Sequence, residues 1–192
     1  MAGSYLYTAV LDACVLYPAP LRDLLLSLAS SGLFRARWTT QIQNEWIENL
    51  LAKRSDVKRE KLAYTVERMN AAIDDCLIEN YAYLIDTLTL PDEKDRHVLA
   101  AAIAGHADVI VTFNIKDFPE KIVAAHGIEV LHPDDFLVAQ YDLSKIKTLK
   151  AIKAIRDRLK NPPRSAQQLI DTYSAQGLPQ IARLLTEASD LI

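Results

Sequence analysis

Neither a G-x-G-x-x-G fingerprint, a Walker loop nor a G-x-S-x-G elbow occurs in these 192 residues, which hold only five glycines. Glycine-rich phosphate loops and serine nucleophile elbows therefore lack sequence support. The four histidines, His97, His106, His126 and His132, never fall into H-E-x-x-H or a similar spacing, so a histidine-based zinc site has little support either. Cysteine is nearly absent: Cys14 and Cys76 stand far apart and outside any C-x-x-C spacing, and read as buried free thiols in a reducing compartment. The longest apolar run, near residues 98–105, falls far short of the roughly 20 residues a membrane-spanning helix needs. The start, MAGSYLYTAVLDA, lacks the charged beginning and long apolar stretch of a signal peptide. These absences point to a cytoplasmic protein without a membrane partner, whose chemistry comes mainly from carboxylates.

At 192 residues and 50% hydrophobic, the chain can build one good core and a small appendage. YLYTAVL, residues 5–11, is short, aromatic and β-branched, as in a buried strand. Pro18 and Pro20 separate it from a helix near residues 21–30. Thr39 or Thr40 caps a helix over TQIQNEWIENLLAKR, and a second long helical pattern runs from about Val57 to Leu77. A poorly patterned link, NYAYLIDTLTL, follows; a helix is then expected from Asp95, and strands over residues 107–112 and 127–131. Strands alternating with such long crossovers imply an α/β fold with a central parallel sheet of about four strands, covered by helices on both faces. Sheets of this kind bind ligands in the crevice outside their carboxyl ends.

Composition shifts near residue 141, which divides the chain into an expected domain over 1–140 and a basic helical C-terminal extension over 141–192. Residues 145–164 carry eight basic residues and one acid, a charge of +7, against −10 for the rest of the chain. Ile146, Leu149, Ile152, Ile155 and Leu159 form an apolar stripe within this stretch, marking an amphipathic helix that NPPR ends. Two further helices are expected near residues 165–175 and 178–190. The basic face is either solvated surface or a recruiting surface for a polyanion such as RNA.

The acids converge on one place in this arrangement. Asp12 ends the first strand, Asn114 and Asp117 follow the strand ADVIVT, Asp95 begins the helix leading into it, and Glu45 borders an apolar helical stripe. Oxygen-rich sets of this kind suit hard cations, Mg²⁺ or Mn²⁺, and a bound cation makes the crowding of Asp92, Glu93 and Asp95 tolerable. Each acid also has a structural reading: Asp95 as a helix cap, Glu45 as a solvated helix residue, Asn114 and Asp117 as turn formers, Asp92 as loop charge. Asp12 resists such a reading, because an acid closing a buried strand is costly unless paired or coordinated.

Four motifs, VLDACVLYP (10–18), TTQIQNEW (39–46), LPDEKDRHVLAAAI (90–103) and VIVTFNIKDFP (109–119), resemble in sequence and order those of PIN-domain ribonucleases, in particular VapC-type toxins of bacterial toxin–antitoxin pairs. GIEVLHPDDFL (127–137) extends the resemblance, which spans about residues 1–140. It implies a PIN-like three-layer fold and an Mg²⁺- or Mn²⁺-dependent endoribonuclease, the toxin of a type II pair with a cognate antitoxin and a homodimeric state. Asp12, Glu45 and Asp95 are the implied core acids. Many relatives carry an acid where this chain has Asn114, which leaves Asp117 as a nearby substitute, so the expected catalytic set is Asp12, Glu45, Asp95, Asn114 and Asp117, with the four acids as metal ligands. Thr112 is either a positioning hydroxyl or a plain strand end. A catalytically degenerate PIN fold that binds RNA or a partner without cutting is the alternative, with Asn114 its best support. A phosphohydrolase with its aspartate after the first strand fits less well, because D-A-C-V lacks the second aspartate expected two residues on.

Overall fold

The computed structural model describes residues 6–192. Its elements are β1 (Thr8–Leu11), α1 (Ala13–Leu16), α2 (Ala19–Ser30), β2 (Arg35–Arg37), α3 (Thr40–Lys53), α4 (Arg59–Ala72), α5 (Ala82–Ile85), α6 (Arg96–Ala104), β3 (Val109–Val111), α7 (Glu120–Val123), β4 (Glu129–Leu131), α8 (Pro133–Leu143), α9 (Lys145–Arg158), α10 (Ala166–Ala175) and α11 (Pro179–Glu187). The strands form one parallel sheet in the order β2-β1-β3-β4, as the alternation of apolar runs with long crossovers requires. Helices flank it and a helical region closes the chain. The first residue of the expected first strand, Tyr5, lies outside the described residues.

Val10 sits beside Ile110 on one side and Arg37 on the other, and Ile110 pairs in turn with Val130. β1 and β3 are buried throughout, as central strands covered on both faces must be. α6 packs on both of them. Its Ala100, Ala101 and Ala102 are fully buried, and such small side chains let the helix lie close to the sheet.

The long helix expected to Leu77 ends instead at Ala72. Asp75 takes a left-handed φ of 53°, which a helix interior cannot hold. The chain then runs extended, with Trp38 N donating to Cys76 O and Ile78 N to Trp38 O, both at 2.8 Å. Of the apolar stripe expected in α9, Leu149, Ile152 and Ile155 are buried, but Ile146 in the first turn is 69% exposed and Leu159 lies just past the helix end, also exposed.

The C-terminal helices join the rest through buried apolar residues, among them Tyr173, Leu178, Ile181 and Leu185, and through one buried carboxylate. Asp134 on α8, 2% exposed, accepts from Gln180 N at 2.8 Å and Ile181 N at 3.0 Å, capping α11 from another helix. Leu178, at the N-cap position itself, has no side chain that could do so. The turn between α10 and α11 uses Gly177 at φ 78°, and a Cβ there would lie 3.8 Å from the ring of Phe113. That ring belongs to the loop after β3.

Candidate active site

Asp12 leaves β1 at the carboxyl edge of the sheet and is 4% exposed. Its Oδ1 accepts from Ala13 N at 2.6 Å, and its Oδ2 accepts from Thr112 Oγ1 at 2.7 Å and Cys14 Sγ at 3.1 Å. All three donors are neutral. The carboxylate is therefore oriented from both sides without its charge being cancelled.

Thr112, fully buried at the end of β3, uses the same oxygen to accept from Asn114 N at 2.9 Å. The hydroxyl couples Asp12 to the loop that follows β3. Cys14 stands beside both, its sulfur accepting from Phe113 N at 3.3 Å. Burial, reinforced by the charge of Asp12, pushes its thiol up to about 12. It stays protonated at neutral pH, as a donor to Asp12 must.

Asp95 does not cap its helix. Asp92 does the local capping, accepting from Lys94 N at 2.9 Å, while Asp95 occupies the N-cap position of α6 with no side-chain cap bond. The carboxyl group of Asp95 is thus free of the backbone. Desolvation, and then the charges of Asp12, Asp92 and Asp117, push it up to about 6.

Glu45 reaches the site from α3, which Thr39 starts by accepting from Ile42 N at 3.0 Å. Its Oε1 lies 2.7 Å from Nε2 of His97, a residue only 3% exposed. The contact is close but poorly angled, and neither imidazole nitrogen has a true hydrogen bond. Distance rather than hydrogen bonding therefore defines this pair.

Asp12, Glu45, Asp95 and Asn114 all line one cavity of about 530 Å³, together with Asp92, Asn49, Tyr17, Lys53 and Lys94. Asp117 stands apart from this lining, half-buried in the turn after Asn114, although its charge reaches Asp95. A larger depression of about 760 Å³ lies between α2, α4 and α9, but its one carboxylate, Asp23, is paired with Arg158. Chemistry favours the smaller cavity.

The donor set fits a hard, small cation. Among the described residues, no three His, Cys, Asp or Glu side chains are gathered tightly enough to hold an ion by themselves. One or two carboxylates with water and substrate phosphate completing the shell is the arrangement Mg²⁺ favours. No Lys or Arg among the described residues pairs with Asp12, Glu45 or Asp95, so apart from His97 beside Glu45 their charge is left for a cation to balance.

Sequence reasoning brought Asp12, Glu45, Asp95 and Asn114 to one place, as the cavity does, together with Asp117, which the cavity leaves out, and it missed Cys14, Tyr17, Lys53 and Lys94. Cys14 and Tyr17 carried a signal, because residues just past a strand-ending acid open onto the same crevice. Nothing local marked Lys53, since its approach depends on how α3 packs against α1.

No solved structure gives a significant match to the chain. Over 89 residues it is 45% identical to a Mycobacterium tuberculosis (strain ATCC 25618 / H37Rv) protein named "Putative ribonuclease VapC50", covering 46% of this chain and 52% of that protein. The chain thus spans about half the length of the curated relative it matches. No helix of the described residues is long and apolar enough to cross a membrane. A model described as VapC50 C-terminal domain matches residues 133–187. The PIN domain model matches residues 8–116, from the first residue of β1 into the turn that holds Asn114. With a four-stranded parallel sheet and acids gathered at its carboxyl edge, the chain belongs to the PIN-domain family.

Proposed function

We propose that the chain is a metal-dependent endoribonuclease that hydrolyses phosphodiester bonds in RNA, the toxin of a type II toxin–antitoxin pair. One observation carries the reading: Asp12, Glu45, Asp95 and Asn114, from four separate segments, line one cavity at the carboxyl edge of the sheet. The name of the mycobacterial relative, a putative ribonuclease, supports the activity, and the resemblance of the motifs to VapC-type toxins supports the pairing with an antitoxin.

In this reading Asp12 and Asp95 bind Mg²⁺ or Mn²⁺, directly or through water, while Glu45 and the Asn114/Asp117 loop complete or extend the shell. An ion held there would supply water activation and stabilisation of the charge that develops on the phosphate. Thr112, Cys14 and the Ala13 amide fix the direction of the Asp12 carboxylate before any ligand arrives. Asp95 must shed its proton, held up to about pH 6, to serve as a ligand. Residues 1–140 carry the chemistry and residues 141–192 form the appendage; the protein works in the cytoplasm.

Purified protein incubated with single-stranded RNA tests the proposal. Cleavage is expected with Mg²⁺ or Mn²⁺, is lost in EDTA and in Asp12→Asn, and leaves discrete ends when the RNA is mapped. Cleavage that survives both treatments sinks it. Asn114, a neutral group in the cavity, favours the second reading of a fold that binds without cutting. RNA binding with no cleavage in either metal selects that reading.

A further inference from the structure

Two lysines line the acidic cavity, and neither pairs with a carboxylate among the described residues. Their neighbours show the alternative. Arg54 is spent on both oxygens of Asp56, at 2.7 Å each, and Arg96 is spent on Glu93. In both places the arginine takes the nearby acid and the lysine beside it, Lys53 or Lys94, is left unpaired at the cavity. The ammonium of Lys53 lies 5.3 Å from the ring centroid of Tyr17, a half-buried residue that also lines the cavity.

A free ammonium beside unneutralised carboxylates has an obvious local partner, and these two do not take it. Until a cation binds, the lining holds no positive side chain but these two lysines to draw a polyanion toward Asp12, Glu45 and Asp95, which repel phosphate. An aromatic ring with a cation near it is the element used to hold single-stranded nucleic acid, the ring stacking a base and the cation meeting the backbone. At about 530 Å³ the cavity has room for a nucleotide-sized group.

We infer that Lys53 and Lys94 bind backbone phosphates of a single-stranded RNA in the carboxylate cavity, and that the ring of Tyr17 stacks one of its bases. The inference rests on the proposed ribonuclease activity and names how its substrate is held. These are substrate-binding residues that no spacing in the sequence marks.

The probe is fluorescein-labelled single-stranded RNA of mixed sequence, titrated onto the Asp12→Asn protein so that cleavage does not intervene. Lys53→Ala with Lys94→Ala is expected to weaken binding and to reduce the slope of log affinity against log salt by roughly 0.7 per lysine. Tyr17→Leu is expected to weaken binding roughly 5- to 150-fold, the worth of one stacked base, with the slope unchanged. Tyr17→Phe is expected to bind like the parent, which separates stacking from loss of the hydroxyl or of folding. Parental affinity and slope in the double lysine variant overturn the inference, as does failure of the Asp12→Asn protein to bind the probe. Binding of polyglutamate through these lysines without RNA binding overturns it in favour of an acidic protein partner. If the otherwise native protein never cleaves this RNA in Mn²⁺ while the lysine effects hold, the nuclease reading fails and this one stands.

Discussion

The carboxyl edge of the sheet and the outer face of α9 both gather like charges, and they treat them in opposite ways. At the sheet edge Asp12 is buried among neutral donors, and Asp95 shares a half-buried cavity with other acids that raise its affinity for a proton. On α9, Lys147, Lys150 and Lys153 stand in solvent, and Arg158 has an acid of its own in Asp23, at 3.0 Å. Water and salt screen the second group, so its crowding costs little; the first group has lost that screening. The number and sign of charges therefore do not mark a site. Their removal from water without a partner does.

The contrast breaks most severely at Asp12. Asp12→Asn is expected to abolish cleavage, exceeding the roughly 10- to 100-fold effect typical of groups that only support a metal ligand, as single-turnover assays will measure. Thr112→Val belongs to that supporting class: cleavage or Mn²⁺ affinity is expected to fall by about 10- to 100-fold, because Oδ2 of Asp12 loses a donor. Calorimetry with Mn²⁺ that returns native affinity would remove Thr112 from the site.

Asp134→Ala moves the test to the joint between the two regions. Two backbone N–H groups at the start of α11 lose their acceptor, and urea unfolding is expected to show about 1–3 kcal/mol of lost stability. Asp95 supplies a pH test with a definite sign. Its pKa in the folded state is about 6 against an ordinary 3.8, so the unfolded chain sheds this proton first. Metal-free protein should therefore lose stability as pH rises from near 3.8 to about 6, and Asp95→Asn should lack that loss in thermal melts. The smallest effects belong to α9. Arg158→Glu, which sets an acid against Asp23, is expected to cost about 0.5–1 kcal/mol, whereas Lys150→Glu in open solvent should stay within about 0.5 kcal/mol.

Legibility in the sequence followed burial. β1 and β3 were readable because strands covered on both faces are apolar at every position. β2 was not, because the edge strand Arg35–Arg37 buries only Ala36 and its arginines look like loop. Asp12 was readable because a carboxylate ending a buried strand contradicts its surroundings, whereas Glu45 and Asp95 were readable only in combination with it. Asp92 and Asp95 show the limit of that reasoning: three residues apart in one turn, either could have been the cap. Only the backbone geometry assigns the capping to Asp92 and leaves Asp95 open to the cavity.

The joint at Asp134 makes the last two helices poor candidates for exchange as a cassette. Besides their apolar seam, they depend on an acid that lies outside them, on α8, so a host that lacks it leaves two amides of α11 without an acceptor. The reverse operation fails for the same reason. A chain cut short before Ala166 keeps Asp134 but removes both of its backbone donors, and the surface so exposed carries a charge shaped for a helix that is no longer there.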